Sequence, residues 1–151
     1  SEDHLLAADL FQLELAFVMT MLLLTSSLTS VYAIYHMRNN NFTKMQLWLA
    51  ITVLLGAGFL ALEIYEFYEY VHLGHTFRSS AFGSAFYILI GTHGFHVIIG
   101  LVWITSLIIR NATRGLSVYT AAKVNTAALY WHFIDVVWVF IFTIVYLLGV
   151  L

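Results

Sequence analysis

Ionisable side chains inside long apolar segments are the residues of this chain whose types and spacing could do chemistry. His93 and His96 occur in GTHGFHVIIG, and His132 and Asp135 occur in YWHFIDVVWVF. The members of each pair are three residues apart, so each pair lies on one face of a helix. Two imidazoles on adjacent turns could ligate a metal or a haem, but the HxxH spacing alone is a weak signal. We favour the simpler interpretation, in which a neutral buried histidine hydrogen-bonds to a carboxylate or carbonyl of a neighbouring helix.

Glutamates mark the ends of two apolar segments. Glu14 begins the first, while Glu63, Glu66 and Glu69 stand three residues apart in LEIYEFYEYVHLGH at the end of the second. At this spacing each side chain is rotated by a small angle from the one before it, so the three lie along one side of a helix in different directions. They cannot all face lipid. They could form an ion or proton site, or contact lipid headgroups. We expect Glu66 and Glu69 to be interfacial and solvated, and Glu63 to have a buried partner.

The segments that position these residues are long enough to cross a membrane. The chain is 62% hydrophobic and only 9% charged, too apolar for a soluble domain of 151 residues. Each of four apolar stretches reaches the ~20 residues that a membrane-spanning helix needs. Runs such as LWLAITVLLGAGFLAL are apolar all round, unlike the alternating strands of a β-barrel. The sequence therefore predicts an all-α, polytopic transmembrane bundle, one domain over residues 1–151, with spans at roughly 14–36, 46–69, 80–109 and 127–150.

Composition excludes several kinds of chemistry. The chain has no cysteine and no proline, which excludes a disulfide scaffold, a thiolate metal site and a covalently attached c-type haem. The six Lys and Arg residues are dispersed and form no basic stripe for nucleic acid. No Gly-rich phosphate loop or nucleophilic triad can be grouped from spacing, and the seven histidines are scattered. The sequence predicts no autonomous active site and no metal site.

The distribution of Lys and Arg predicts the orientation. Five of the six lie in the first and third connections, whereas the second has only Arg78; the five are Arg38, Lys44, Arg110, Arg114 and Lys123. The first and third connections should therefore be cytoplasmic, with both ends of the chain on the outer face. An outer N-terminus normally requires a signal sequence or a preceding helix, so we expect that an N-terminal helix is missing from this sequence.

Depth predicts which buried groups can meet. At ~1.5 Å per residue, His93 and His96 lie ~20–24 Å below the outer face, in the same layer as His132 and Asp135. Glu63 lies ~25 Å from the cytoplasmic face, too near the outer side to join them. We expect Asp135 to hydrogen-bond, directly or through one water, to His93 or His96. In the competing arrangement, a carboxylate on the missing helix takes one of these histidines.

Two further expectations concern packing. Tyr130 and Trp131 should lie near the inner interface, where amphipathic rings are enriched. The third helix contains three glycines that leave space on its surface, so a neighbouring backbone could approach closely; they are Gly91, Gly94 and Gly100. The third helix should then be the central packing helix.

Three segments carry a resemblance to a known family. FYILIGTHGFHVIIGLVWI, ALYWHFIDVVWVFIFTIVYLLG and LEIYEFYEY resemble subunit III of haem-copper respiratory oxidases, and the match covers essentially the whole chain. The first helix, LELAFVMTMLLLTSSLTSVYAIYHM, resembles the helix that follows the one bearing the family's buried glutamate. The family has seven spans in its full form and five in its shorter bacterial form. Four spans therefore agree with a missing N-terminal helix.

The resemblance implies an accessory, non-redox subunit of a proton-pumping terminal oxidase in aerobic respiration. The complex would be a cytochrome c or quinol oxidase that reduces oxygen to water, with haems and copper in partner subunits and no cofactor in this chain. The implied partners are the catalytic subunit I, subunit II, a small subunit IV and phospholipids, with support for proton uptake and sustained turnover. The implied location is a bacterial plasma membrane, with the mitochondrial inner membrane as the alternative.

The residues that match the family's motifs are implied to be structural or to line a lipid cleft, and none is implied to be catalytic: Glu63, His93, His96, Trp131, His132 and Asp135. The alternative from another class is a four-helix membrane metalloprotein or haem carrier that uses His93, His96, His132 and Glu63. A small transporter is a third interpretation. It is disfavoured because no span is broken by proline and no inverted repeat is apparent.

Overall fold

A computed structural model describes the backbone of residues 2–72 and 81–150 and the side chains of residues 11–69 and 85–145. Within these residues, four long helices each contain a segment of at least 28 residues that is apolar enough to cross a membrane. The prediction of an all-α, four-span bundle is confirmed. The helices are α1 Glu2–Arg38, α2 Phe42–His72, α3 Ala81–Arg114 and α4 Val118–Val150.

The helices extend beyond the predicted spans, and the largest difference lies between α3 and α4. The sequence predicts a connection over residues 110–126, but only residues 115–117 separate the two helices. Gly115 ends α3 at a φ of 69°, which favours glycine, and its N–H donates to the Asn111 carbonyl at 2.8 Å. Ser117 then caps α4 by accepting from the N–H of Thr120 at 3.3 Å. The polar residues of this region are thus helical, because polarity ends a membrane span without ending a helix.

The first connection is a tight turn built by asparagines. Asn40 has a φ of 57°, a conformation that asparagine tolerates better than most residues. Asn41 caps α2, since its Oδ1 accepts from the N–H of Lys44 at 3.2 Å. The second connection, which includes His75 and Arg78, lies outside the described residues.

Each helix packs against two neighbours within the described residues, in the cyclic order α1, α2, α3, α4. The expectation that α3 is the central helix is therefore wrong, because the four helices form a ring. The glycines of α3 do leave space on the helix surface, but side chains of neighbouring helices occupy that space. A Cβ at Gly94 would lie 2.7 Å from the Glu63 carboxyl, and a Cβ at Gly100 would lie 2.9 Å from the Trp131 ring.

Trp131 fills the centre of this ring. Its side chain is 0% exposed, and its indole N–H donates to Ser26 Oγ of α1 at 2.9 Å. Gly56 of α2 and Gly100 of α3 make room for the ring, which would lie within 3 Å of a Cβ at either position. The expectation of an interfacial ring is wrong for Trp131, because the indole finds its polar partner on a neighbouring helix instead of in the headgroup region.

The outer surface of the bundle is apolar. Leu54 and Ile88 are each 70% exposed, and Phe140 is 65% exposed. Large apolar side chains on the outside and hydroxyls, amides and carboxyls on the inside are the arrangement expected when lipid is the solvent.

Candidate functional site

His132 joins α4 to α1. Its Nδ1 lies 2.6 Å from Ser27 Oγ, and its Nε2 lies 3.3 Å from Ser30 Oγ. Ser30 Oγ also donates to the Ser27 carbonyl at 2.6 Å. Both nitrogens of the imidazole therefore have hydroxyl partners on one neighbouring helix, which leaves neither free for a metal ion.

Asp135 lies one turn further along α4 and is 3% exposed. Neither carboxyl oxygen makes a hydrogen bond within the described residues. Burial of a carboxyl without a hydrogen bond is costly, and a protonated carboxyl costs less than a charged one.

His93 joins α3 to α4 at the same level. Its Nε2 lies 3.0 Å from the carbonyl oxygen of Ile134. Its ring lies edge-on to Phe59 and tilted against Trp138, with centroids 5.9 and 5.3 Å away. A carbonyl can only accept, so Nε2 carries the hydrogen. In the neutral ring Nδ1 is then an acceptor, and it is buried with no hydrogen-bond partner in the described part of the chain.

His96 faces away from this layer. Its ring is exposed, and its Nδ1 donates to the Thr92 carbonyl of the same helix at 2.8 Å. Tyr130 of α4 donates from its hydroxyl to the main-chain carbonyl of His96 at 2.9 Å. His96 and Tyr130 both line a groove of about 200 Å³ between α3 and α4, and five of its seven other lining residues are apolar.

The predicted partner of Asp135 can now be compared with the structure. His93 lies at the level of Ile134 and Asp135, as the depth argument predicts. The prediction of a direct hydrogen bond from Asp135 to a histidine of α3 is wrong, because His93 donates to a main-chain carbonyl and His96 donates within its own helix. A contact through one water stays a prediction.

Glu63 is 3% exposed, and its carboxyl packs against α3 where Gly94 leaves space. The expectation of a buried position is correct, but the expected partner is not found, since both oxygens lack a hydrogen bond within the described residues. Glu66 and Glu69 are partly exposed, and Glu14 is exposed on α1.

A further set of polar side chains joins α2 to α3 near the basic end of the bundle, which is the end that carries Arg38, Lys44, Arg110, Arg114 and Lys123. Gln46 donates from Nε2 to the Ile108 carbonyl at 2.9 Å and accepts from Asn111 Nδ2 at 3.1 Å. Also on α3, Nη1 of Arg110 is buried and has no acceptor among the described residues. The sequence has no Asp or Glu between residues 70 and 134 or between residues 15 and 62, so this end of the bundle offers no carboxylate.

The described residues contain no group of three His, Asp or Glu side chains that could hold a metal ion. His93, His96 and His132 point to three different partners. What the arrangement can do chemically is hold protons on buried acids and imidazoles and fix the helices to one another.

Comparisons with known proteins give this geometry a context. The family model for cytochrome c oxidase subunit III matches residues 7–150. The chain belongs to the cytochrome c oxidase subunit III family. Subunit 3 of the cytochrome c oxidase from Bacillus sp. (strain PS3) is 71% identical over 143 residues, covering 95% of this chain and 69% of that protein.

Relatives in the same family include subunits of two kinds of oxidase. Cytochrome c oxidase subunit 3 of Bacillus subtilis (strain 168) is 69% identical over 142 residues, and quinol oxidase subunit 3 of the same organism is 50% identical over 141. Each alignment covers 93% of this chain and 69% of the relative. Membership confirms an accessory subunit of a terminal oxidase and gives no support to the four-helix metalloprotein or haem carrier.

Sequence reasoning missed the hydroxyls that partner the aromatic and imidazole rings. Ser26, Ser27 and Ser30 occur together in LTSSLTS, and their spacing by three and four residues could have indicated a polar face on α1. It also missed the hydrogen bonds of Gln46 and the buried nitrogen of Arg110, since both residues lie near span ends and looked solvated.

Proposed function

We propose that this chain is the non-redox subunit III of a proton-pumping haem-copper terminal oxidase that reduces oxygen to water. It packs beside the catalytic subunit I, with subunit II and a small subunit IV in the same complex, and the haems and copper are held by those partners. The proposed location is a bacterial plasma membrane. The observation that carries the proposal is family membership over nearly the whole chain.

The hydrogen bonds of the histidines support a non-redox role. A haem or copper centre needs imidazoles that converge on one point. Here His93 is bonded to a main-chain carbonyl and His132 to two serine hydroxyls. We propose that Glu63, His93, His96, Trp131, His132 and Asp135 are structural residues or residues beside bound lipid.

Lipid binding is supported by the basic end of the bundle. Arg110 Nη1 is buried without an acceptor among the described residues, and the sequence provides no carboxylate at this end. Arg110 as a whole is partly exposed, and guanidinium groups bind phosphate in a fixed geometry, so the exposed part of this side chain fits a phospholipid phosphate. Near the ends of α2 and α3, Leu47 is 54% exposed and Ile109 is 66% exposed, which supplies an apolar surface for acyl chains.

Orientation is part of the proposal. The basic end should face the cytoplasm, because Lys and Arg are retained on that side during insertion. The short turns at residues 39–41 and 115–117 would then be cytoplasmic.

Oxidase prepared with and without this chain tests the proposal. We expect the depleted complex to keep its haem, its copper and its initial rate of oxygen consumption, but to retain less phospholipid and to lose activity sooner during turnover. A loss of haem or copper in proportion to the chain removed would contradict the proposal, because the chain would then hold a redox centre.

A further inference from the structure

His96 places a polar atom on the outer surface of the bundle. Its Nδ1 lies 2.8 Å from the Thr92 carbonyl of the same helix, and a carbonyl can only accept, so Nδ1 carries the hydrogen of the neutral ring. Nε2 is then a lone-pair acceptor on the far side of the ring, pointing away from the α3 backbone. The ring is exposed, and Nε2 has no hydrogen-bond partner within the described residues.

The depth of His96 determines what could reach this acceptor. At ~1.5 Å per residue, His96 lies ~17 Å along α3 from Ala85, where the apolar span begins, and ~21 Å from Arg110 near the basic end. It is therefore inside the ~30 Å hydrocarbon core. Phospholipid headgroups lie outside that core, and acyl chains carry no hydrogen-bond donor. A phospholipid would leave the Nε2 acceptor unpaired, which is costly in hydrocarbon.

The groove beside His96 is elongated. Its α4 side is lined from Tyr130 to Ile141, and its α3 side from Leu89 to His96. At ~1.5 Å per residue, the α4 side is ~17 Å long, or about three helical turns. Apolar side chains that are at least 60% exposed recur every seven residues on both helices: Ile88, Phe95, Val102 and Ile109 on α3, and Phe133 and Phe140 on α4. A seven-residue repeat is the spacing at which one helix packs along another.

A symmetric pair of these grooves would not satisfy His96. Two hydroxyl side chains line the groove, and both have used their hydrogens. Thr92 donates to the Ile88 carbonyl at 2.8 Å. Tyr130 donates to the His96 carbonyl at 2.9 Å. Two copies of this chain related by a two-fold axis through the groove would therefore bring two acceptors together without a hydrogen to share.

We propose that the groove between α3 and α4 binds one transmembrane helix of a different polypeptide, which donates a side-chain O–H or N–H to His96 Nε2. Side chains of this kind hydrogen-bond between helices in membranes. The donor lies at the depth of His96, and apolar side chains on the adjacent turns of the same helix pack against Leu89, Phe133 and Ile141. The proposal rests on the accessory role and deepens it, because it states where a partner subunit contacts this chain and through which atom.

Photo-cross-linking in the purified oxidase complex tests the proposal. Benzoyl-phenylalanine is introduced in place of Phe133, which lines the groove and is 67% exposed. On illumination it inserts into a C–H bond of whatever lies against it, and mass spectrometry identifies the product. We expect a cross-link to a transmembrane segment of another subunit, within one helical turn of a Ser, Thr, Tyr, Trp, Asn or Gln side chain.

Variants of His96 in the same complex test the hydrogen bond. His96→Leu removes the acceptor, and we expect the linked partner to be lost in excess detergent about fivefold faster, the rate equivalent of one hydrogen bond. His96→Gln keeps an acceptor oxygen and should lose the partner more slowly than His96→Leu. Thr92→Val is the matched control, because Thr92 lines the same groove but its hydroxyl bonds only within α3. It should behave as the wild type.

The proposal is overturned if the cross-link forms to a phospholipid, a quinol, a second copy of this chain, or a helix without a side-chain donor near the linked residue. It is also overturned if His96→Leu loses the partner no faster than Thr92→Val or His96→Gln. Haem content and oxygen consumption are measured on the same samples. A lipid cross-link in an oxidase with normal values counts against this interface alone, whereas an absence of haem overturns the accessory role and this inference with it.

Discussion

His93 Nε2 donates to the main-chain carbonyl of Ile134, with nitrogen and oxygen 3.0 Å apart, and Ile134 is the residue before Asp135. The bond fixes α3 to α4 through a backbone atom that every residue type would supply. It therefore constrains the position of α4 without involving the Asp135 side chain. A separate contact, between His132 and Ser27, joins α4 to α1.

His93 should stabilise the bundle through that bond. We expect His93→Leu to destabilise the chain by about 1–3 kcal/mol, because a buried hydrogen bond is lost and the Ile134 carbonyl keeps only its helical partner. His93→Gln, whose amide can donate to the same oxygen, should lose less. The measurement is the free energy of unfolding in mixed detergent micelles. Equal losses in the two variants would contradict the role of the hydrogen bond.

The glycines of α2 give a matched pair for the Trp131 contact. A Cβ at Gly56 would lie 2.7 Å from both Leu101 Cδ2 and Trp131 Cη2, whereas at Gly58 its nearest neighbour would be Leu22 Cδ1 at 3.6 Å. We expect Gly56→Ala to cost about 1–3 kcal/mol through overpacking. Gly58→Ala should be neutral, or stabilise by up to about 1 kcal/mol through helix propensity.

The same unfolding measurement compares these two glycine variants. If Gly56→Ala were as stable as Gly58→Ala, the Trp131 ring would not be held between α2 and α3 as described.

Arg110 should hold a phospholipid at the basic end. We expect Arg110→Gln to reduce the anionic phospholipid that co-purifies with the oxidase, measured by mass spectrometry of extracted lipid. Lys123→Gln is the control, because it removes the same charge from an exposed residue near the same end. A similar loss in both variants would indicate diffuse attraction to the membrane surface instead of a defined phosphate site.

Orientation can be measured by cysteine labelling without removing native thiols, because the chain contains no cysteine. Cysteines placed at Asn40 and Ala112 should be protected from an impermeant thiol reagent in right-side-out vesicles, and one at Gly74 should react. The turn at Asn40 and the end of α3 are then on the cytoplasmic side. The opposite labelling pattern would reverse the proposed orientation.

The length and position of the spans could be predicted from sequence, because apolar runs long enough to cross a bilayer have few other structures available. The common depth of His93 and Asp135 was also predictable, since the rise of a helix is fixed. The hydrogen-bond partners of these two residues could not be predicted. Which groups meet depends on the rotation of each helix about its axis, and here that rotation follows from packing Trp131 between Gly56 and Gly100.

The structure of the polar residues at the helix ends was harder to predict from the sequence. Residues 118–126 looked like a loop because they include Thr120 and Lys123, but a helix that leaves the membrane can remain a helix with polar side chains. Arg110 looked solvated for the same reason. The burial of one of its guanidinium nitrogens depends on how the helices pack, which the sequence does not give.

The most direct test of the account is the oxygen consumption and metal content of whatever co-purifies with this chain from its own membranes. We expect a tagged chain to bring with it a haem- and copper-containing complex that consumes oxygen with reduced cytochrome c or a quinol as donor. Once separated from its partners, the chain should carry no stoichiometric iron or copper. A chain that purifies without an oxygen-consuming complex, or one that retains a stoichiometric metal by itself, would contradict the account.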